Sequence, residues 1–357
     1  MDYPSQGSRT RNRLLSVLLG VVFASLAGCS DSPDDLRTLA SLAKAPIKTL
    51  PERVFEGPCS GAVAPCIATI ESGRYTPLAR PLLMYVNRAA LKRPEVLAYL
   101  RFVLNEGQDL VSLVQYIRLN ADSLEEARRA LEEAAVGVEL PQKIQGKLKI
   151  DGSSTVFPIA QAAAEFFIEQ HPEVLPQVGK SGTGGGFKKF VLGETDISNA
   201  SRPISSTEIE ECRKHNVEFL ELKVAIDGLA VVVNPENSFC ECLTVEQLKK
   251  VWEPGSSVTR WNELNPDWPP EEIKLYGPDT DSGTFDYFTE VICGKSKAAR
   301  SDYISSSEDN VLVKGVEGDR FSLGYFGYAY YAENAHSLKV VGIHPPPPKS
   351  KSESQHK

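Results

Sequence analysis

The sequence predicts an α/β fold, and three observations point to it. Leu148-Lys149-Ile150 alternates like a short strand and runs, through a Gly-Ser-Ser-Thr turn, into a helical run from Ile159 to Glu169. Leu229-Ala230-Val231-Val232-Val233 is a continuous apolar stretch of the kind a strand needs when both faces are covered. Strand and helix patterns then alternate to the end of the chain. The composition agrees: 357 residues, 41% hydrophobic and 24% charged, supply enough apolar material for two domains and exclude a disordered chain. The net charge of -8 argues against a nucleic-acid binder.

The elements follow in chain order. Arg9, Arg11 and Arg13 precede an apolar run from Leu14 to Ala27, too short for a spanning helix and of the length of a secretory signal. It ends Leu26-Ala27-Gly28-Cys29, which resembles the lipobox of bacterial lipoproteins, with Cys29 as the lipidated residue. Residues 1–28 are therefore expected to be a signal peptide and 29–56, rich in Ser, Pro, Asp and Lys, a tether. Beyond residue 28 the balance is 36 basic against 46 acidic residues.

Pro81–Val86 is a buried-strand candidate. Glu95 to Ala135 is helical by periodicity, with a third helix expected to open at Ser123 in a capping box with Glu126. Residues 136–147 read as a linker and 346–357, four prolines at 345–348 and then polar residues, as a disordered end.

Six cysteines remain after Cys29: 59, 66, 212, 240, 242 and 293. An even number in an exported protein favours structural disulfides, with fifteen possible pairings. No metal site is expected, because paired C-x-x-C motifs are lacking and the five histidines are scattered.

Three segments carry the chemistry: Gly152-Ser153-Ser154-Thr155 before Pro158, Ser181-Gly182-Thr183-Gly184-Gly185-Gly186 before Phe187, and Asp281-Ser282-Gly283-Thr284 before Phe285. Each sets small hydroxylated residues and flexible backbone at a helix start. There the unpaired N–H groups and the positive end of the dipole attract anions. A single such turn is an ordinary helix cap; three in one chain favour a bound oxyanion. Arg202 follows nearby in Ser201-Arg202-Pro203 and can grip such an ion with two parallel hydrogen bonds. A P-loop, a dinucleotide fingerprint, a nucleophile elbow and an H-E-x-x-H motif are all lacking, so the hydroxyls look like ligands rather than nucleophiles and no enzyme or cofactor is expected.

Together, Ile150–Pro158, Ser181–Phe190, Gly193–Arg202, Asp227–Asn234, Leu243–Leu248, Asp281–Thr284 and Gly324–Tyr328 resemble the phosphate-binding proteins of bacterial ABC phosphate importers, the PstS family. The resemblance covers nearly all of 148–343. It implies a two-lobed, hinged periplasmic-binding-protein fold that closes on one phosphate ion and delivers it to a membrane permease. It carries phosphate contacts onto Ser154, Thr155, Gly182, Thr183, Ser282, Gly283 and Thr284. Ser201 falls where some members have an acidic ligand and Pro278 where some have an arginine, which makes Arg202 the candidate for the missing charge. Asp227 is the candidate carboxylate that accepts the proton of phosphate and so rejects sulfate.

The order of segments departs from the family. Ile70–Asn87 and the helices to about Ala135 look like the family's C-terminal third but come first, which reads as a circular permutation with the former termini fused through 136–147, the alternative being a truncated protein with an unrelated N-terminal helical domain. The expected lobes are 82–226, and 57–81 with 227–345. The implied protein is a monomeric lipoprotein of the cell envelope, anchored to a membrane by its lipid, with inorganic phosphate and permease subunits as partners. A phosphate or other oxyanion sensor or scavenger without a permease is the alternative.

Overall fold

The computed structural model describes residues 49–346, apart from Asp281. The expected signal peptide, Cys29, most of the expected tether, Asp281 and all but the first residue of the expected 346–357 tail lie outside the described residues. The described chain forms two compact units: unit 1 is Pro81–Ile226, and unit 2 comprises 49–80 together with 227–346. The chain passes between them at Arg80–Pro81, inside strand β1 (Ala79–Asn87), and at Ile226–Asp227, inside strand β5 (Phe219–Val233). Both strands are buried along most of their length, in keeping with their unbroken apolar runs.

Unit 1 is built on strands β1, β2 (Gln145–Gly152), β3 (Glu173–Val178), β4 (Ile197–Ala200) and the first half of β5, in the order β3-β2-β4-β1-β5. β2 lies parallel to both β3 and β4, whereas β1 and β4 are antiparallel, Tyr85 opposite Ser198. β2 starts at Gln145, inside the stretch read as linker, because its pairing with β3 extends to Gln145 opposite Glu173.

Helices α1 (Pro94–Leu104), α2 (Gly107–Leu113) and α3 (Ala121–Ala134) follow β1. α1 buries nine of its eleven residues, so it is a core helix. α3 buries only Ala127 and Leu131. It opens earlier than the capping box predicted: Asn120 is the cap, its side chain accepting from the Ser123 N–H at 2.9 Å. Asn is as good a cap as Ser, and its extended backbone lets the helix begin three residues sooner. α4 (Phe157–Gln170) buries Ala160, Ala162, Ala163 and Ala164, small residues that allow close packing. α5 (Thr183–Phe190) and α6 (Ser206–Lys214) complete the unit. Phe187 and Phe190 of α5 pack with Leu83, Tyr85, Ala200 and Cys212, the Tyr85 and Phe187 rings meeting edge to face at 5.0 Å.

Unit 2 carries the second half of β5, β6 (Cys242–Thr244), β7 (Lys274–Pro278), β8 (Ile304–Ser306), β9 (Ser322–Gly327), β10 (Lys339–Val340) and β11 (Gly342–His344). Its main sheet runs β5-β9-β7-β8, with β10 also on β5. Helices α7 (Val245–Trp252), α8 (Gly283–Phe288), α9 (Asp309–Gly318) and α10 (Tyr328–Asn334) surround an aromatic core. There Trp252 meets Phe288, Tyr303 and Tyr325 edge to face, and Phe288 stacks on Tyr325 at 3.7 Å.

Of the cysteines, Cys59 and Cys242 form a disulfide that fastens the segment entering unit 2 to β6. The Val63–Ile343 bridge and the parallel β6–β11 pair continue that attachment. The other four are thiols rather than partners in further bridges: Cys66, Cys212 and Cys240 are buried and Cys293 half-buried. Cys212 shows why an even count misleads. It fills a place in the apolar core of unit 1, where a free cysteine behaves as a small hydrophobe.

The disulfide closes a sequence separation of 183 residues, so its loss releases much chain entropy in the unfolded state. Replacing Cys59 and Cys242 together by serine is expected to cost about 2–5 kcal/mol in urea unfolding, with the native fold kept in circular dichroism. An unchanged unfolding midpoint would show that the bond is not a staple.

Candidate functional site

In unit 1 the first two hydroxyl turns meet through backbone. The Gly182 N–H donates to the Gly152 carbonyl at 2.8 Å, and the Ser153 N–H to the Asn199 carbonyl at 2.9 Å. Gly152 has φ +136°, and a Cβ there would lie 2.1 Å from the Asn199 oxygen, so only glycine fits. Gly186 is as tightly placed, its Cβ position 2.5 Å from the Gly152 Cα. Gly182, at φ +80°, is the cap position that turns the chain into α5.

The hydroxyls converge on the same place. Thr183 Oγ1 lies 3.1 Å from Ser201 Oγ and accepts from the Ser201 N–H at 3.2 Å. Ser153, wholly buried, accepts from the N–H groups of Thr155 and Val156 and so shapes the turn. Ser154 sits half-exposed at its apex and Thr155 is buried. The backbone thus joins Gly152–Thr155 to Gly182, and hydroxyls join Thr183 to Ser201. The amide of Asn199, on the strand beside Gly152, is fully buried and makes no hydrogen bond with the described residues.

Asp151, not a candidate in the sequence, ties the turns from beneath. Its carboxylate accepts from the Gly152 N–H and from both the N–H and hydroxyl of Ser181, and pairs with Lys189 of α5. Burial pushes this carboxyl up, but the hydrogen bonds from Lys189, Ser181 and Gly152 outweigh it and hold it below the usual range. Arg202, the predicted cation, is engaged in a fork with Glu208, at 2.9 and 2.8 Å. Its guanidinium also lies over the Phe187 ring. Glu208 is in turn the third residue of the Ser205 capping box that opens α6.

Unit 2 holds the third turn. Ser282 caps α8, its hydroxyl accepting from the Thr284 N–H at 3.2 Å. Gly283 and Thr284 form the first turn of that helix. The buried carboxylate of Asp227 accepts from Arg80 Nε at 3.2 Å. Burial raises the Asp227 carboxyl above its ordinary value, and the Arg80 charge opposes this only in part. Arg80 was legible only as the residue before a strand; no spacing rule links position 80 to 227. Pro278, where an arginine was anticipated in some relatives, ends β7 and offers only its carbonyl, to the Tyr303 hydroxyl.

Both units of this α/β architecture carry hydroxyl turns at helix starts. Residues 137–351 match the PBP superfamily domain, and the chain belongs to that superfamily. Protein SphX of Synechocystis sp. (strain ATCC 27184 / PCC 6803 / Kazusa) is 47% identical over 205 residues, 57% of this chain and 61% of SphX. The phosphate-binding protein PstS of Staphylococcus saprophyticus is 42% identical over 201 residues, 56% of this chain and 61% of that protein. A possible phosphate binding protein from Planctomyces limnophilus, known from its crystal structure, shares 56% identity and a TM-score of 0.56, covering 57% of this chain and 72% of that one. The chain therefore spans about six-tenths of the length of the curated relatives it matches.

Two outcomes are expected. Gly152→Ala should destabilise unit 1 by about 2 kcal/mol or more, since the methyl group strikes the Asn199 carbonyl in a conformation that L residues avoid; wild-type thermal stability would contradict this. Asp309, half-buried at the start of α9, has its carboxyl pushed up to about 7 by burial and by the charge of Asp279. The unfolded chain ionises near pH 4, so this group's contribution is present below that pH and lost as the pH rises toward 7. Asp309→Asn should accordingly gain stability over wild type between about pH 4 and 7 and then hold that gain, as read by urea unfolding. A difference that stays flat across the range would refute it.

Proposed function

We propose that the protein is a binding protein for inorganic phosphate that serves an ABC phosphate importer, acting by capture and release without covalent chemistry. One observation carries the reading: the convergence in unit 1 of Gly152–Thr155, Gly182–Thr183 and Ser201, three segments far apart in sequence. Neutral hydroxyl and backbone donors at helix starts suit a multiply charged oxyanion in a chain that is itself acidic. The names of SphX, PstS and the Planctomyces protein support the same ligand class.

In this reading Ser154, Thr155, Gly182, Thr183 and Ser201, with Arg202 beside them, are the phosphate residues of unit 1. Ser282, Gly283 and Thr284 serve in unit 2. Asp227, raised by burial, accepts the proton that phosphate keeps and sulfate lacks. The order of segments is a circular permutation of the relatives' order; the matched region begins at residue 137, and 81–134 belongs to unit 1. Export as a lipoprotein through Cys29 anchors the protein to a membrane of the cell envelope, facing the periplasm or the exterior. No helix among the described residues is long and apolar enough to cross one.

The test is calorimetric titration of phosphate-stripped protein with phosphate and with sulfate. Phosphate is expected to bind tightly and sulfate at least about 100-fold more weakly, about 2.7 kcal/mol or more. Thr183→Val should weaken phosphate about tenfold, and Asp227→Asn should narrow the preference over sulfate. Failure of the wild-type protein to bind phosphate would overturn the reading, and an unchanged preference in Asp227→Asn would remove that residue from its role.

A further inference from the structure

Unit 2 contains a buried cation, Arg80, paired with the buried carboxylate of Asp227. Arg80 is 8% exposed, just before the apolar run Leu82–Val86 of its strand, and a charge is costly to bury there unless it is paired. Contacts with Asp227, Tyr287 and Gly283 are among those that hold it. Nε donates to Asp227 Oδ2 at 3.2 Å, the guanidinium carbon stands over the Tyr287 ring at 3.7 Å from its centroid, and Nη2 stands 3.5 Å from the Gly283 carbonyl. Tyr287 is itself anchored, its hydroxyl donating to the Pro77 carbonyl at 2.5 Å.

These contacts share one origin. Tyr287 lies on α8, the same helix whose first turn is Ser282-Gly283-Thr284, so the helix that presents the candidate donors also seats the arginine. Engagement of Nε by Asp227 sets the rotation of the planar group and brings its Nη2 edge to Gly283. A guanidinium held by a carboxylate on one side and an aromatic face beneath is pre-organised for a tetrahedral oxyanion, at little further cost in side-chain entropy. The other candidate charge is differently employed: Arg202 makes its fork with Glu208.

We infer that Arg80 is the residue that grips the oxyanion in unit 2, in the role that position 278 cannot fill with proline, and that Asp227 and Tyr287 hold it in place. The inference rests on the phosphate-binding function proposed above. It adds a residue that the sequence motifs do not contain, because Arg80 precedes the three turns by at least 72 positions in the chain.

The experiment compares wild type, Arg80→Gln, Arg80→Lys and Arg74→Gln by phosphate calorimetry, and by melting temperature with and without phosphate. Arg74 is the control, since its ion pair with Glu52 lies at the surface. Arg80→Gln is expected to lose at least 100-fold in affinity and most of the phosphate-induced melting shift. Arg80→Lys, which keeps the charge but loses the fork, should fall between, and Arg74→Gln should bind within twofold of wild type.

Should Arg80→Gln fail to fold by circular dichroism, Arg80→Gln combined with Asp227→Asn removes both buried charges and is read in the same way, against Asp227→Asn alone. Binding within threefold of its reference by a folded variant lacking Arg80 overturns the inference and leaves the phosphate function standing. A wild-type protein that binds no phosphate overturns both.

Discussion

The candidate site of unit 1 depends on one contact, the approach of Gly152 to its neighbours at backbone distance. The Gly152 carbonyl receives the Gly182 N–H, its Cα abuts Gly186, and a side chain at this position would enter the Asn199 carbonyl. Everything that follows needs that closeness. The end of β2, the start of α5 and strand β4 come together only because two glycines remove the atoms that would hold them apart. With them together, Thr183 reaches Ser201. Asp151, directly before Gly152, then finds the N–H and hydroxyl of Ser181 within 2.9 Å and the Lys189 ammonium beside it.

Unit 2 solves a similar problem with charge rather than backbone. Its third turn stands at the head of a short helix, and the helix itself seats an arginine brought from position 80 and a carboxylate from position 227. Burying such a pair is expensive unless its geometry is satisfied, and here a carboxylate, an aromatic face and a carbonyl all act on one guanidinium. The raised Asp227 carboxyl records that expense, since desolvation exceeds what the arginine returns. Net charge therefore says little about anion binding in this acidic chain; oriented donors set the local field.

Much of the fold was legible because the strands and helices announce themselves by period. β1 and β5 each contain an unbroken apolar run, Leu82–Val86 and Leu229–Val233, and α4 follows a Gly-Ser-Ser-Thr turn and carries a proline at its start. The three hydroxyl turns were legible for a related reason: capping is local chemistry, written within a few residues. Misreadings arose where two local signals competed or where pairing depended on position in space. Asn120 and Ser123 are both good caps, and the helix takes the earlier one. Six cysteines look alike in a sequence, yet Cys59 and Cys242 are the pair that the fold brings to a Cα separation of 5.6 Å.

By itself the sequence determined the α/β class, the hydroxyl-rich turns and the chemistry those turns can offer, because each is encoded in residues that are neighbours along the chain. Only the tertiary structure decided which charges stand beside them. Arg202 was the nearest arginine in sequence, but it is joined to Glu208; Arg80, far away in the chain, lies on Tyr287 beside Asp227. The reason is physical. A guanidinium is placed by partners that satisfy its charge and plane, and those partners meet it through strand crossing and helix packing rather than through spacing.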